Sequence, residues 1–467
     1  MYEFHYKDIE CLNIELPEDI LKKKWFGDFK GAKNLIDIRL KSEIPTALRK
    51  KLELEKMILS TLEKEYTISF EDAFEMVKEV IHDFTKEEFL KYQEESKIDW
   101  IYVNGEVRYF RRFLSTLLKV NKELEERAEK FQLKQGKGEF KKESIEHLEK
   151  QALREVIRSL KEKKELTYHF KLRASVKIKE EAFKQGIVHV HIPIPTKCQQ
   201  VSEVKILKVE PKETAIADEE QSQRTIYFET NLLENEAFTI EYEYNNKVSY
   251  VNSNELIVDV TKQHSEALQE QAPHIMFTPY LKSLTAEIIG EETNALKKAR
   301  KIYDYVTTKI HYSFMREYFT IENIPEYAAL SGKGDCGVQS LLFITLCRIA
   351  GIPARWQSGL YTTPYTASSH DWAQFYIAPY GWLFADCSYG GDAYRLGEYE
   401  IWDFYFGNID PFRMPANIGF QEEFYPAKKF MRADPYDNQR GEIEYNDRGL
   451  AYNEFDAIRE VLECYEI

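Results

Sequence analysis

Apolar residues recur at helical spacing through the first third of the chain. Between Pro45 and about Phe131 the sets Phe74, Val77, Val80, Ile81 and Phe113, Leu117, Val120, Leu124 each line one face of a 3.6-residue period. Two start signals precede or interrupt them. Ser69 is followed by Asp72, and Thr85 by Glu88, so each hydroxyl can accept a first-turn N–H with a carboxylate three residues on. The run from Trp100 to Tyr109 alternates around Asn104-Gly105, a pair that readily adopts positive φ, and predicts a hairpin. After a break at Gly136-Lys137-Gly138, a further helix runs through Ile145, Leu148, Val156 and Leu160. At Tyr168 the period changes to two: Tyr168, Phe170, Leu172, Ala174 and Val176, then Val188, Val190, Ile192 and Ile194. Strand-like runs recur near 204–209, 225–230 and 238–244. These patterns predict a mainly α-helical region over residues 1–164, a small β-sandwich over 165–255, and a third region over 270–467. The segment 391–467 has few periodic cues and reads as an irregular extension of that third region, ending in a hairpin and a short terminal segment.

The clearest helix follows Gly334-Asp335-Cys336-Gly337. Val338, Leu341, Leu342, Thr345, Leu346 and Ile349 share its apolar side, and Gly351 sits where a left-handed stop belongs. Cys336 therefore lies in the first turn, where unsatisfied N–H groups and the positive helix end favour thiolate over thiol and can donate to an oxyanion. Downstream, His370 to Ile377 and Trp382 to Cys387 read as two strands joined around Pro379-Tyr380-Gly381. His370 and Asp386 share a face only if paired residue numbers sum to an even total, which requires a loop of three or five residues or a bulge. A cysteine opening a helix, then a histidine and an aspartate on paired strands, supplies a nucleophile, its base and the base's orienter. The catalytic candidates are Cys336, His370 and Asp386.

Composition narrows the alternatives. The 467 residues are 43% hydrophobic and 31% charged, which is a globular balance. A formal charge of −15 opposes phosphate backbones and anionic membrane surfaces, so neither nucleic acid nor membrane is an expected partner. No apolar segment follows Met1 and no run is long enough to span a bilayer, so the expected location is the cytoplasm. The six cysteines lack CxxC spacing and favour neither a disulfide framework nor a zinc site. His189 and His191 share a strand face but have no third ligand nearby, and the acidic turn from Asp434 to Gly441 lacks calcium-ligand spacing. No cofactor or metal is expected.

Several blocks together resemble the core of the transglutaminase-like superfamily over about residues 285 to 390. They are Gly334-Asp335-Cys336-Gly337, the helix end from Cys347 to Arg355, His370-Asp371-Trp372-Ala373, and Tyr380-Gly381-Trp382 leading to Asp386. The resemblance implies a papain-like α+β core and a Cys-His-Asp triad at Cys336, His370 and Asp386, acting on a peptide or protein substrate by hydrolysis or by transfer to an amine. It also implies an oxyanion-stabilising side chain before the cysteine, for which Tyr312, Tyr318 and Tyr327 are candidates. Two features depart from the family: Cys387-Ser388 follows the aspartate where proline is common, and the zinc-binding cysteines of the deglycosylating branch are absent. The competing reading is a catalytically inactive scaffold or binding protein built on the same core.

Overall fold

The computed structural model describes residues 5–134, 145–258 and 267–467. In the N-terminal region both start signals act as caps. The Ser69 hydroxyl accepts from the Asp72 amide at 3.1 Å, and Thr85 and Glu88 form a reciprocal box at 3.2 and 2.8 Å. The strands Trp100–Val103 and Glu106–Phe110 form the hairpin, with φ of 51° at Asn104 and 92° at Gly105, and Tyr66–Ile68 adds a third strand. The helical run expected through Leu124 is instead two helices, Phe113–Val120 and Lys122–Lys134. Asn121 between them is extended, and its side chain accepts from the Leu124 amide at 3.3 Å, so it caps the second helix. The Gly136-Lys137-Gly138 break lies outside the described residues.

The middle strands follow their sequence pattern: Glu165–Ile178, Gly186–Pro193, Val201–Glu210, Thr225–Leu232 and Phe238–Ser249. Along Phe238–Ser249 burial alternates residue by residue, as a strand with one covered face requires. The strands are shared between two antiparallel four-stranded sheets. His189 and His191 are engaged locally. His189 bonds the Tyr227 hydroxyl at 2.7 Å and Asn446 at 2.9 Å, and buried His191 bonds Thr225 at 2.9 Å.

The third region is organised on helix α1 (Cys336–Ile349), which is buried from Gly337 to Arg348. A helix apolar around most of its circumference belongs inside a core rather than on a surface. It packs on a five-stranded antiparallel sheet built from β1 (Ala354–Thr362), β2 (Ala367–Ile377), β3 (Gly381–Ala385), β4 (Phe406–Gly407) and β5 (Arg413–Asn417), in the order β4-β3-β2-β1-β5. Phe343 of α1 meets Phe375 of β2 with ring centroids 5.7 Å apart. Helix α2 (Cys387–Arg395) follows β3 directly.

One expectation is overturned. The C-terminal segment is not confined to the third region: β6 (Glu442–Tyr445) pairs with Gly186–Pro193, and β7 (Phe455–Glu466) pairs with Glu165–Ile178 along almost its whole length. The chain thus closes both middle sheets with strands some 250 to 300 residues downstream, roughly estimated from those ranges. Pairing across that separation leaves no local mark in sequence. Buried amides tie the middle sheets to the five-stranded sheet: Gln200 donates to Gln357 at 2.9 Å, and Asn246 donates to the carbonyls of Pro411 and Arg413 at 2.8 and 2.6 Å. Among the described residues no helix is long and apolar enough to cross a membrane.

Candidate active site

Strands β2 and β3 pair with Ala373 opposite Ala385 and Ile377 opposite Gly381, which leaves a three-residue loop from Ala378 to Tyr380. This is the even register, so His370 and Asp386 project from the same face. His370 Nε2 lies 2.7 Å from Asp386 Oδ2, and both side chains are buried. Asp386 also begins α2: its Oδ1 accepts from the Tyr389 amide at 3.1 Å and the Ser388 hydroxyl at 3.3 Å. A helix start thus replaces the family's usual proline, and it holds the carboxylate from the side opposite the imidazole.

Behind this pair lies a charge that the sequence reading missed. Arg413, from β5, donates to Asp386 Oδ2 at 2.8 Å and pairs with Asp410 at 3.1 Å, and its side chain is fully buried. Its guanidinium is 4.4 Å from the Tyr361 ring centroid and 4.3 Å from that of Tyr389. Burial alone would raise the Asp386 pKa, but His370 and Arg413 outweigh it and hold the carboxyl well below its usual range. Burial lowers the His370 pKa, and Asp386 only partly restores it, so the imidazole is neutral at pH 7. A neutral ring facing a carboxylate carries its proton on Nε2, which leaves Nδ1 as the basic nitrogen.

Cys336 opens α1, where Asp335 caps the helix by accepting from the Val338 amide at 3.1 Å. Its sulfur donates not to His370 but to Asp371 Oδ2 at 3.2 Å, and the Asp371 amide is hydrogen-bonded to the sulfur as well. Cys336 and His370 meet as walls of one cavity of about 280 Å³, together with Tyr312, Tyr361 and Tyr389. A second, wider cleft of about 450 Å³ reaches the sulfur from the other side and holds Asp371, Tyr318, Asp437 and several arginines. Cys336, Tyr312, Ser368 and Ser369 border both openings, so the sulfur stands where they join. Gly337 makes this approach feasible, because a Cβ there would collide with the Tyr318 hydroxyl and crowd Asp371.

The thiol itself departs from the sequence expectation. Burial, followed by the charges of Asp371 and Asp335, pushes the Cys336 pKa well above that of a free thiol. The helix terminus favours thiolate, but two carboxyl groups beside the sulfur and the loss of solvent oppose it more strongly. Asp371 is pushed up to about 8, by burial first and by Asp335 next. It shares a hydrogen bond with Asp437 and accepts one from Gln439. Asp371→Asn is therefore expected to move the pH profile of Cys336 alkylation downward by about one unit or more, since above pH 8 the variant lacks the anion that opposes thiolate. Iodoacetamide labelling followed by peptide mass spectrometry measures it; coincident profiles would remove Asp371 from control of the thiol.

Of the three tyrosines, Tyr327 does not line either opening, and Arg316 lies 5.3 Å from its ring centroid. The Tyr318 hydroxyl is committed to Asp335. Tyr312 sits beside Cys336 because His311–Tyr312 pairs in parallel with Lys333–Gly334, a two-residue ladder too short to show as a period. Among the described residues its hydroxyl has no hydrogen-bond partner.

No curated protein matches the chain. Among solved structures it is similar to a protein of Cytophaga hutchinsonii provisionally named a cysteine protease, at 14% identity and a TM-score of 0.42, over 65% of this chain and 91% of that one. It is also similar to the periplasmic domain of TgpA from Pseudomonas aeruginosa, at 11% identity and a TM-score of 0.28, over 54% of this chain and 94% of that one. The family model that matches is the transglutaminase-like superfamily, over residues 282–387, a span that contains Cys336, His370 and Asp386. Over that span the chain resembles the transglutaminase-like superfamily.

Proposed function

We propose that the protein is a thiol hydrolase or acyltransferase, in which Cys336 attacks a peptide or side-chain amide and hydrolysis is the default outcome. The observation that carries this reading is the locked His370–Asp386 pair, 2.7 Å apart, opening into the same cavity as a helix-initiating cysteine. With thiol and imidazole both neutral at rest, the proton passes from sulfur to His370 Nδ1 as the sulfur attacks, rather than from a standing ion pair. Substrate displaces the thiol's hydrogen bond to Asp371. Asp386 stabilises the imidazolium, which then protonates the leaving amine. The helix N-terminal amides and the free Tyr312 hydroxyl are the donors for the oxyanion.

The substrate is a peptide or protein, and the proposed location is the cytoplasm, where six unpaired thiols are kept reduced. One observation favours the inactive-scaffold reading: the thiol's hydrogen bond runs to Asp371 instead of His370. Intact-mass analysis after incubation with peptide amides, with and without a primary amine, separates the two. The expected result is an acyl adduct mapping to Cys336 that water hydrolyses and that decays faster still if an added primary amine can act as acceptor. Amide turnover that survives complete alkylation of Cys336 would sink the enzyme reading at this site, and a clean absence of both adduct and turnover favours the scaffold.

A further inference from the structure

The wider cleft carries more arginines than its carboxylates pair with. Arg112, Arg440 and Arg459 line it with Cys336. Arg112 stacks on the Phe314 ring at 3.5 Å and Arg440 faces the Tyr452 ring at 5.0 Å, while Arg459 donates to the Ser369 hydroxyl at 3.1 Å and the Gln439 carbonyl at 3.2 Å. Among the described residues none of the three forms an ion pair. Arg111 differs, being paired with Glu65 at 2.9 Å. Burial lowers the pKa of Arg112 and of Arg459, and the charge of Arg440 lowers both further, so the guanidiniums are close enough to repel one another. Asp335 acts on Arg112 and Glu317 on Arg440 only through space, with no direct ion pair, so an anion can still relieve the repulsion, and a planar guanidinium suits a carboxylate in particular.

Acids line the same cleft: Glu317, Asp335, Asp371, Asp434 and Asp437. Burial raises all five, with Glu317 at about 7, Asp335 at about 6 and Asp371 at about 8. Asp335, the one most readily ionised of those three, is occupied by Tyr318 and the α1 amide. Asp335 and part of Glu317 are ionised near neutral pH, but Arg111, Arg112, Arg316, Arg440 and Arg459 all line the cleft and leave positive charge in excess.

The direction of catalysis assigns the two openings. His370 lines the smaller cavity and not the arginine cleft, and the leaving amine must depart on the side of the group that protonates it. Resting on the thiol-enzyme reading above, we propose that the arginine cleft is the acyl-donor subsite and accepts acyl groups bearing a free carboxylate near the scissile carbonyl. A γ-glutamyl group, attacked at its γ-carbonyl with its α-carboxylate on Arg440 and Arg112, has this chemistry. The sulfur bonds to the carbonyl carbon, the C–N bond breaks, and the thiol proton leaves on the amine by way of His370. Water then cleaves the thioester, releasing the dicarboxylate and restoring the thiol.

Matched reagents test the subsite with or without turnover. Iodoacetate and iodoacetamide differ mainly in charge, and the ratio of their rates at Cys336 reads the local potential. Arg440 is exposed, so Arg440→Gln leaves the core untouched. The expected result is an iodoacetate-to-iodoacetamide ratio about tenfold lower in Arg112→Gln/Arg440→Gln than in the native chain, with Arg440→Gln intermediate, and protection by glutarate in the native chain only. A γ-glutamyl anilide should likewise be cleaved about tenfold better than its α-carboxamide analogue, a preference the double variant loses. An unchanged reagent ratio overturns the subsite, as does equal cleavage of acid and amide. If neither anilide is cleaved while the reagent ratio falls as expected, the anion subsite stands and the catalytic reading fails.

Discussion

Asp386→Asn is expected to lower kcat for amide cleavage by about 10⁴, with KM little changed, whereas Cys336→Ala removes covalent turnover altogether. The carboxylate dictates the tautomer. An ionised Asp386 accepts the Nε2 proton of His370 at 2.7 Å and leaves Nδ1 free to take the thiol proton. An asparagine can instead donate its amide N–H to Nε2, which moves the ring proton to Nδ1 and removes the base. The cap on α2 survives, because an asparagine oxygen accepts from the Tyr389 amide as Asp386 Oδ1 does. That orientation also turns the amide N–H toward Arg413, which now donates to Asp386 Oδ2 at 2.8 Å, so a lower unfolding midpoint is expected beside the loss of activity. Steady-state kinetics on both variants, with folding followed by circular dichroism, decide it: activity of Asp386→Asn within tenfold of the native chain would place the orienting role elsewhere.

Local patterns revealed the parts of this site that a few neighbouring residues specify. The apolar stripe from Val338 to Ile349 and the glycine after it marked α1, and the runs His370–Ile377 and Trp382–Cys387 on either side of Pro379-Tyr380-Gly381 marked β2 and β3. A shared face for His370 and Asp386 required an even register, and Ala373 does face Ala385. Three features escaped for a common reason. Arg413 reaches Asp386 only because β5 joins the far side of β1, and β6 and β7 find partners in the middle sheets; each depends on a pairing between distant segments. Asp371 was overlooked because a strand turns its side chain away from that of His370, and only packing of α1 against β2 brings the sulfur to it. The protonation of Cys336 is a matter of burial, and helix position by itself points the other way.

Arg413→Met is expected to destabilise the fold around β5 by about 3–5 kcal/mol, read as a lower denaturant midpoint. It would strand two buried carboxylates, Asp386 and Asp410, that the guanidinium now joins at 2.8 and 3.1 Å. On the proposed mechanism the same charge count sets the base strength of His370. Two carboxylates against one guanidinium leave the cluster one negative charge in excess while His370 is neutral, and the proton taken from Cys336 balances it. Asp386 and Asp410 raise the His370 pKa and Arg413 lowers it, while burial places the net value below that of a free imidazole. Activity requires the neutral ring, so the acid limb of the kcat/KM profile should lie below the ordinary histidine value of about 6.5. Arg413→Met raises the His370 pKa and moves that limb to higher pH; Asp410→Asn lowers it and moves the limb down. The two substitutions together should recover part of the lost stability, because only Asp386 then remains to be balanced and protonated His370 can do so. Limbs that shift in the same direction for both single variants would show that the cluster does not set the base strength of His370.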